Sequence, residues 1–426
     1  MHSAPVGAPR VHALSRDAAL VCVAGAFRSA AVSTVGIIIA LHLARSGLSA
    51  SEIGLVIGLG MAANAAATVL VSFHADRWGQ RQSLIALGLL AGAGYVAIGI
   101  AGSLPVFLAV AVITLVNGMG RDRGPASALE QALLPATTTD ARRTWTMAWY
   151  NVVIDAGHAL GALAAVLPTL LAGTFGLTQA AGHMWTFVGC GLVVMLATIP
   201  YLLLRPTVEC GPLPVRAPPA EVDPHTRAIV RRLMVLFGLD SVGGGFLSSA
   251  LIAYWFFQRY GTSELHLAWL FFAARVLNVL SHFAAAWIAR RIALLNTMVF
   301  THLPSSIFLM LAPFAPTASI AAALFLAREA LVEMDVPTRQ SYVMAVVPRS
   351  SRTYASGMTN VTRNAGSAVG PLVGGMAMQH LALAAPLLVG GTLKIFYDLA
   401  LYRSFRHLRP PEEQVALTTT SLRRGV

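Results

Sequence analysis

Long apolar runs alternate with short polar breaks along almost the whole chain. A helix that crosses a membrane needs ~20 mostly apolar residues. Twelve runs come close to that length: Ala18–Ala44, Glu52–Phe73, Ser83–Ala101, Pro105–Gly120, Thr144–Leu171, His183–Leu204, Ile229–Phe257, Leu267–Ile288, Leu294–Pro313, Ser319–Tyr342, Tyr354–Met378 and Leu383–Tyr402. Closed barrels are the other way to satisfy a backbone in lipid, but these runs are too long and too evenly apolar for tilted strands. The pattern predicts an all-α integral membrane protein with twelve transmembrane helices. Six runs precede Arg205–Thr226 and six follow it. That connector carries Pro206, Pro212, Pro214, Pro218, Pro219 and Pro224 among polar residues, the composition of a solvated linker. The expected organisation is a six-helix bundle over 1–204, a linker over 205–228, a second six-helix bundle over 229–402 and a tail over 403–426.

The halves resemble each other. After a shift of 209 positions, RTYASGMTNVTRNAGSAVGPL (Arg352–Leu372) lies over RTWTMAWYNVVIDAGHALGAL (Arg143–Leu163), and nine of twenty-one positions are identical. These are the fifth and eleventh runs, second to last in each half, so the chain holds an internal repeat. Two pseudo-symmetric bundles follow. Repeats of this size in membrane proteins are characteristic of secondary transporters, with the substrate site between the halves.

Composition agrees. Of the 426 residues, 56% are hydrophobic and 11% charged, against roughly a quarter charged in soluble domains. The net charge of +12 would suggest nucleic acid in a soluble chain; here it follows from membrane topology, and no nucleic-acid partner is expected. With the N-terminus inside, the inside segments hold twenty arginines and the outside segments only Arg45 and Arg259. Both termini are therefore expected in the cytoplasm, with the chain in a bacterial-type inner (plasma) membrane. No small-residue cleavage site follows the first run, which reads as retained. Cys22, Cys190 and Cys210 are scattered and the histidines form no cluster, so no disulfide framework, metal site or cofactor is expected. Neither His-Glu-x-x-His nor a phosphate-cradling loop is present. That disfavours a polytopic membrane enzyme and ATP-driven transport.

Two motifs carry a family resemblance. Between the second and third runs stands SFHADRWGQRQ, similar to Gly-x-x-x-Asp-Arg-x-Gly-Arg-Arg/Lys in a cytoplasmic loop of the major facilitator superfamily. Asp76, Arg77, Gly79 and Arg81 match, while Ser72 and Gln80 depart from it. The eleventh run matches the glycine pattern Gly-x8-Gly-x3-Gly-Pro-x2-Gly-Gly with Gly357, Gly366, Gly370, Pro371, Gly374 and Gly375. In that family the pattern marks helix five of drug/proton antiporters. Here helix five has only Gly157 and Gly161, with Ala148 and Ala162 in the other places. With the six-plus-six layout, the chain resembles that superfamily over most of its length. The resemblance implies that the loop latches the outward-open state. The glycines keep one helix side thin for close approach and sliding, or for tight packing alone, and Pro371 permits a bend.

At ~1.5 Å rise per residue, positions ten or eleven into a run lie ~15 Å deep. Arg28, Asp155, Asp240, Arg275, Arg328, Glu329, Arg363 and Lys394 stand there. A charge facing lipid at that depth costs at least ~2.5–3.5 kcal/mol, so these must face protein or an aqueous chamber. The resemblance implies that helices one, four, seven and ten line the cavity, putting Arg28, Asp240 and Glu329 nearest the substrate. Arg28 and Asp240 correspond in the repeat and are expected to pair across the pseudo-two-fold, as are Asp155 and Arg275 at the domain interface. Lys394 and Asp398, four apart on helix twelve, suit a structural salt bridge. Arg121, Asp122, Arg123 and Glu130, and likewise Glu333, Asp335 and Arg339, are either cytoplasmic gate pairs or solvated helix ends.

Protonating Asp155, Asp240 or Glu329 would break an ion pair and bias rocking of the halves; static pairs that fix helix register are the alternative. The sequence thus predicts a monomeric secondary transporter of a small organic solute, working by alternating access and coupled to protons, in the direction of efflux. Uptake of a small anionic metabolite is the alternative, motivated by five cations against three anions at mid-depth.

Overall fold

The computed structural model describes residues 14–139, 142–205, 223–348 and 351–408, without the side chains of Asp76, Thr144, Ala286, Arg290 and Thr353. These residues form no strand. The N-terminal bundle contains α1 (Arg16–Arg45), α2 (Ala50–Trp78), α3 (Gln80–Ile100), α4 (Leu104–Ile113), α5 (Pro125–Leu133), α6 (Arg143–Ala164), α7 (Leu167–Phe175), α8 (Gln179–Leu196) and α9 (Ile199–Leu202). The C-terminal bundle contains α10 (Pro224–Gly245), α11 (Ser249–Tyr260), α12 (Glu264–Ile292), α13 (Leu294–Leu311), α14 (Ala318–Val332), α15 (Asp335–Val346), α16 (Arg352–His380) and α17 (Ala385–Phe405). End to end, these helices make twelve rods, and eight of them are long and apolar enough to cross a membrane. Arg143 and Arg352, superposed by the sequence repeat, open α6 and α16. α1 packs along α6 as α10 packs along α16.

Starts and breaks follow local chemistry. Ser15, Ser49, Thr178, Asp223, Ser248, Ser263 and Thr317 each cap a helix start by accepting a backbone N–H, satisfying donors with no intrahelical partner. Asp223 starts α10 at Pro224, so the helix begins inside the stretch expected to be linker. The fourth rod is not continuous through Gly120. It unwinds after Ile113 and restarts at Pro125, with Leu115 and Gly120 at positive φ. The seventh rod breaks after Gly243, Gly244 and Gly245. The tenth breaks at Glu333–Met334, where Pro337 cannot donate to the carbonyl four residues earlier.

The apolar core is not symmetric from end to end. On the side away from residues 205 and 223, one cluster joins both bundles, with Ile37, Ile38, Ile53 and Phe107 from one and Leu251, Trp255, Phe271 and Phe325 from the other. Toward the linker it divides. Leu129, Tyr150 and Tyr201 belong to a cluster within the first bundle, and Phe237, Tyr342 and Tyr397 to one within the second. Apolar packing therefore clamps the bundles on the far side, while polar side chains bridge them on the linker side.

Candidate functional site

Arg28 projects from α1 into the first bundle. Its Nε donates to Asp122 Oδ2 at 2.6 Å, and Nη1 and Nη2 reach Glu130 Oε1 and Oε2 at 2.9 and 2.5 Å. Tyr201 OH accepts from Nη1 at 2.7 Å and itself donates to Glu130, and Tyr150 OH donates to Glu130 Oε2 at 2.7 Å. The fork of a guanidinium matches a carboxylate with two parallel bonds. Arg28 is only 6% exposed and Glu130 fully buried. The unwinding of the fourth rod lets Asp122, off the helix, and Glu130, on α5, approach Arg28 from different directions. Asp122 and Glu130 are thus buried partners within the bundle, not solvated continuations of helix four. The expected Arg28–Asp240 pair is not formed.

Asp240 projects from α10 into the second bundle. Lys394 Nζ donates to its Oδ1 at 2.7 Å, and Arg363 and Arg339 reach Oδ2 at 3.3 and 3.5 Å. His302 Nδ1 lies 2.9 Å from Asp398 Oδ1, while its Nε2 lies 3.5 Å from Lys394 Nζ and 4.0 Å from Asp240 Oδ1. An ammonium only donates, so Nε2 faces Lys394 as an acceptor and Nδ1–H donates to Asp398. Arg339 also pairs with Asp335. Lys394 and Asp398 therefore do not bridge each other along α17: Lys394 reaches inward to Asp240, and Asp398 binds His302. Arg363 is the open end of the cluster, its side chain 23% exposed.

Polar contacts between the bundles occur at three depths along α12. At the far end, Glu264 accepts from Arg45, from His183 at 2.8 Å and from Thr169 at 2.7 Å. About 16 Å deeper, Arg275 Nη2 donates to the Gly120 carbonyl at 3.1 Å and to Ser249 Oγ at 3.2 Å. Around it the unwound segment is tied to α11: Ala250 N donates to Gly118 O at 3.2 Å and Ser249 Oγ to Met119 O at 2.9 Å. At the third level His282 stands 3.8 Å from Glu333, which Arg121 binds from the other bundle at 2.6 Å. Arg123 lies 3.9 Å from Glu333 with its side chain 58% exposed.

The remaining expectations separate. Asp155 does not reach Arg275; its neighbour is His158, 3.8 Å away, whose Nε2 accepts from the Asp122 backbone N–H. Arg328 and Glu329 pair with each other, and Asn278 donates to Glu329 Oε2 at 3.0 Å. Gly366 and Gly370 sit against α10, where a Cβ would meet Gly238 O at 2.7 Å and Gly245 Cα at 2.3 Å; a Cβ at Gly375 would meet Gly54 Cα of α2 at 2.7 Å. Gly374 faces Leu251 and Phe246. α16 thus touches both bundles through its glycines. Gly357 faces open space, so close packing does not explain it, and α16 runs on through Pro371. Gly157 and Gly161 lie against Ala26 O and Ala30 O of α1. Gly79 turns α2 into α3 at φ +85°. Arg81 donates to Leu202 O at 2.5 Å and Arg77 is exposed; the Asp76 side chain lies outside the described residues.

Sequence reasoning missed Arg45, His183 and Glu264, which lie at run ends, and Tyr150, Tyr201 and His302. A lone tyrosine or histidine in an apolar run signals no particular partner.

A pseudo-symmetric pair of helical bundles with ionic groups at its waist defines a transport protein of the membrane. The chain belongs to the Major Facilitator Superfamily, whose family model matches residues 21–371. It is 24% identical over 421 residues to an uncharacterized membrane protein of Saccharomyces cerevisiae, covering 91% of this chain and 93% of that one. Among solved structures it is similar in fold to the nucleoside transporter NupG (TM-score 0.73, 12% identity, 91% of this chain and 100% of that chain). It is also similar to a D-xylose-proton symporter (TM-score 0.70, 14% identity, 91% and 97%) and to a peptide transporter POT (TM-score 0.72, 13% identity, 94% and 96%). The protein is a multi-pass membrane transporter.

Proposed function

We propose that this protein is a proton-coupled secondary transporter that exports a small organic solute by rocking its two bundles, 1–204 and 229–402, about the waist. The observation that carries the reading is the setting of Asp240. One carboxylate faces Lys394 from α17, Arg363 from α16, Arg339 from α15 and His302 from α13, with Asp335 and Asp398 behind those bases. Asp240 takes up a proton in the arrangement of the bundles in which Arg363 and Lys394 have moved off it, and protonation then keeps those bases released. Arg363 sits on the helix whose glycines touch both bundles, so its release is felt at the interface. The arginine asymmetry supports a cytoplasmic linker side, with both termini cytoplasmic in a bacterial-type plasma membrane. The Asp76–Arg81 loop then serves as a latch on that side. The working unit is a monomer.

The alternative direction, uptake of an anionic metabolite, is favoured by the bases at the waist. One experiment addresses both. The full chain is reconstituted in vesicles loaded with a pH dye, and a solute panel is added with and without an imposed pH gradient. Solute-driven proton movement that disappears in Asp240→Asn supports the coupling. Its direction relative to solute separates export from uptake. Flux indifferent to the gradient removes protons from the mechanism.

A further inference from the structure

Arg275 is the one mid-depth base whose described contacts are all neutral. It is 8% exposed. Its Nη2 binds a backbone carbonyl and a serine hydroxyl, its Nε is buried with no acceptor, and no carboxylate lies within ion-pair distance among the described residues. Charges of both signs act on it, Arg121 and Arg123 as well as Glu333 and Asp155, and Glu333 is already bound by Arg121. Elsewhere at the waist, Arg28, Arg328 and Lys394 each have a carboxylate at close range. A buried charge is normally paired. One left without a counter-ion, where two bundles meet and two rods are broken, is short of an anion.

The geometry points to a substrate-anion site at Arg275, built on the unwound segment around Gly120 and the Ser249 start of α11. The ligand class is a small carboxylate or phosphate, with Arg123 as a second, exposed base on the linker side. The inference rests on the transporter reading above and names its substrate class. It also gives substrate a mechanical role. Arg275 binds Gly120 O, a carbonyl of the opposite bundle. An anion offers stronger acceptors than a carbonyl, so occupancy withdraws Arg275 from that strap and loosens the unwound segment from α12. Direction of transport does not enter.

The test uses purified full-length protein and equilibrium thermal stability, with acetate, benzoate, succinate and inorganic phosphate as probes and acetamide, benzamide and succinamide as neutral counterparts. Wild type is expected to gain several degrees with at least one anion and nothing with its neutral counterpart. Arg275→Gln is expected to lose that response and, in anion-free buffer, to match or exceed wild type, because an uncompensated charge has been removed. Arg275→Lys keeps the charge without the fork and is expected to respond weakly. Three results overturn the proposal: no anion stabilises wild type, Arg275→Gln responds as wild type does, or Arg275→Gln is less stable than wild type without anion. The last outcome would mean that the guanidinium serves only to hold Gly120 and Ser249. Dye-loaded vesicles from the same preparation separate this idea from the broader one. Anion stabilisation without any solute flux leaves the site standing and removes the transport reading. Flux of neutral solutes unaffected by Arg275→Gln does the reverse.

Discussion

Arg28 and Asp240 occupy matching places in the two halves and carry opposite charges. Around Arg28 the chain gathers two carboxylates and two tyrosines; around Asp240 it gathers a lysine, two arginines and a histidine. The difference lies in what each centre can do with a proton. A guanidinium stays charged at any physiological pH, and Arg28, Tyr150 and Tyr201 together hold Glu130. A carboxylate can accept a proton. The second cluster is centred on a titratable group, and its most exposed member is Arg363. Repetition supplied one scaffold twice, and the two copies carry opposite charges at the same place; the proposed function gives the switch to the second.

The largest effects should come from breaking these centres. Arg28→Met leaves Asp122 and Glu130 side by side and unpaired in a buried site, and removal of one partner from such a pair costs about 3–5 kcal/mol. Thermal unfolding in detergent should show a correspondingly large loss, while the protein that still folds keeps the wild-type pH profile of transport. A changed pH profile in that variant would assign titration to the wrong half. Asp240→Asn is the complementary change. It leaves Lys394, Arg363 and Arg339 without their shared carboxylate, so a stability loss of the same order, about 3–5 kcal/mol, is expected, and the ratio of initial rates at two pH values should fall toward unity.

A third change asks whether the bundles separate as units. Glu264→Gln weakens the far-side cluster with Arg45 and His183, where hydrogen bonds to a charged group are worth about 1.5–3 kcal/mol each. Arg45 is partly exposed, so the lower end is expected. Cysteines placed at far-side positions of α1 and α11 should then react faster with a membrane-impermeant thiol reagent. Unchanged reactivity would mean that the shared apolar core, not Glu264, holds that side closed.

Much of this was legible in the chain because isolated charges in apolar runs must find partners. The helical runs were legible for a different reason, that a backbone in lipid must bond to itself, and the repeat from matching residues in the two halves. The partners were not legible. Arg28 meets residues 94 and 102 positions away, and helices apolar on every side give no periodicity to say which face turns inward. Symmetry suggested Arg28 with Asp240, yet each bundle satisfies its own centre locally. The waist contacts were hidden for another reason. The run through Pro105–Gly120 reads as one helix, but Asn117 binds the backbone of Met119 and Arg121 and stabilises a turn instead. The carbonyls that this turn frees are the ones α11 and Arg275 use.

The smallest expected effect tests how faithfully the two halves repeat. Gly79 joins α2 to α3 at φ +85°, ψ 122°, and the corresponding joint between α12 and α13 is Ala293 at φ +76°, ψ 162°. That backbone region belongs almost wholly to glycine, and another residue there costs about 1–3 kcal/mol. Ala293→Gly relieves the strain but gives the unfolded chain more freedom. The net gain in stability should be about 1 kcal/mol, read as a small rise in Tm, and Gly79→Ala should lose at least that much. If Ala293→Gly lowers Tm, the second joint is supported by its surroundings in a way the first is not. The halves would then differ in their hinges as well as in their charges.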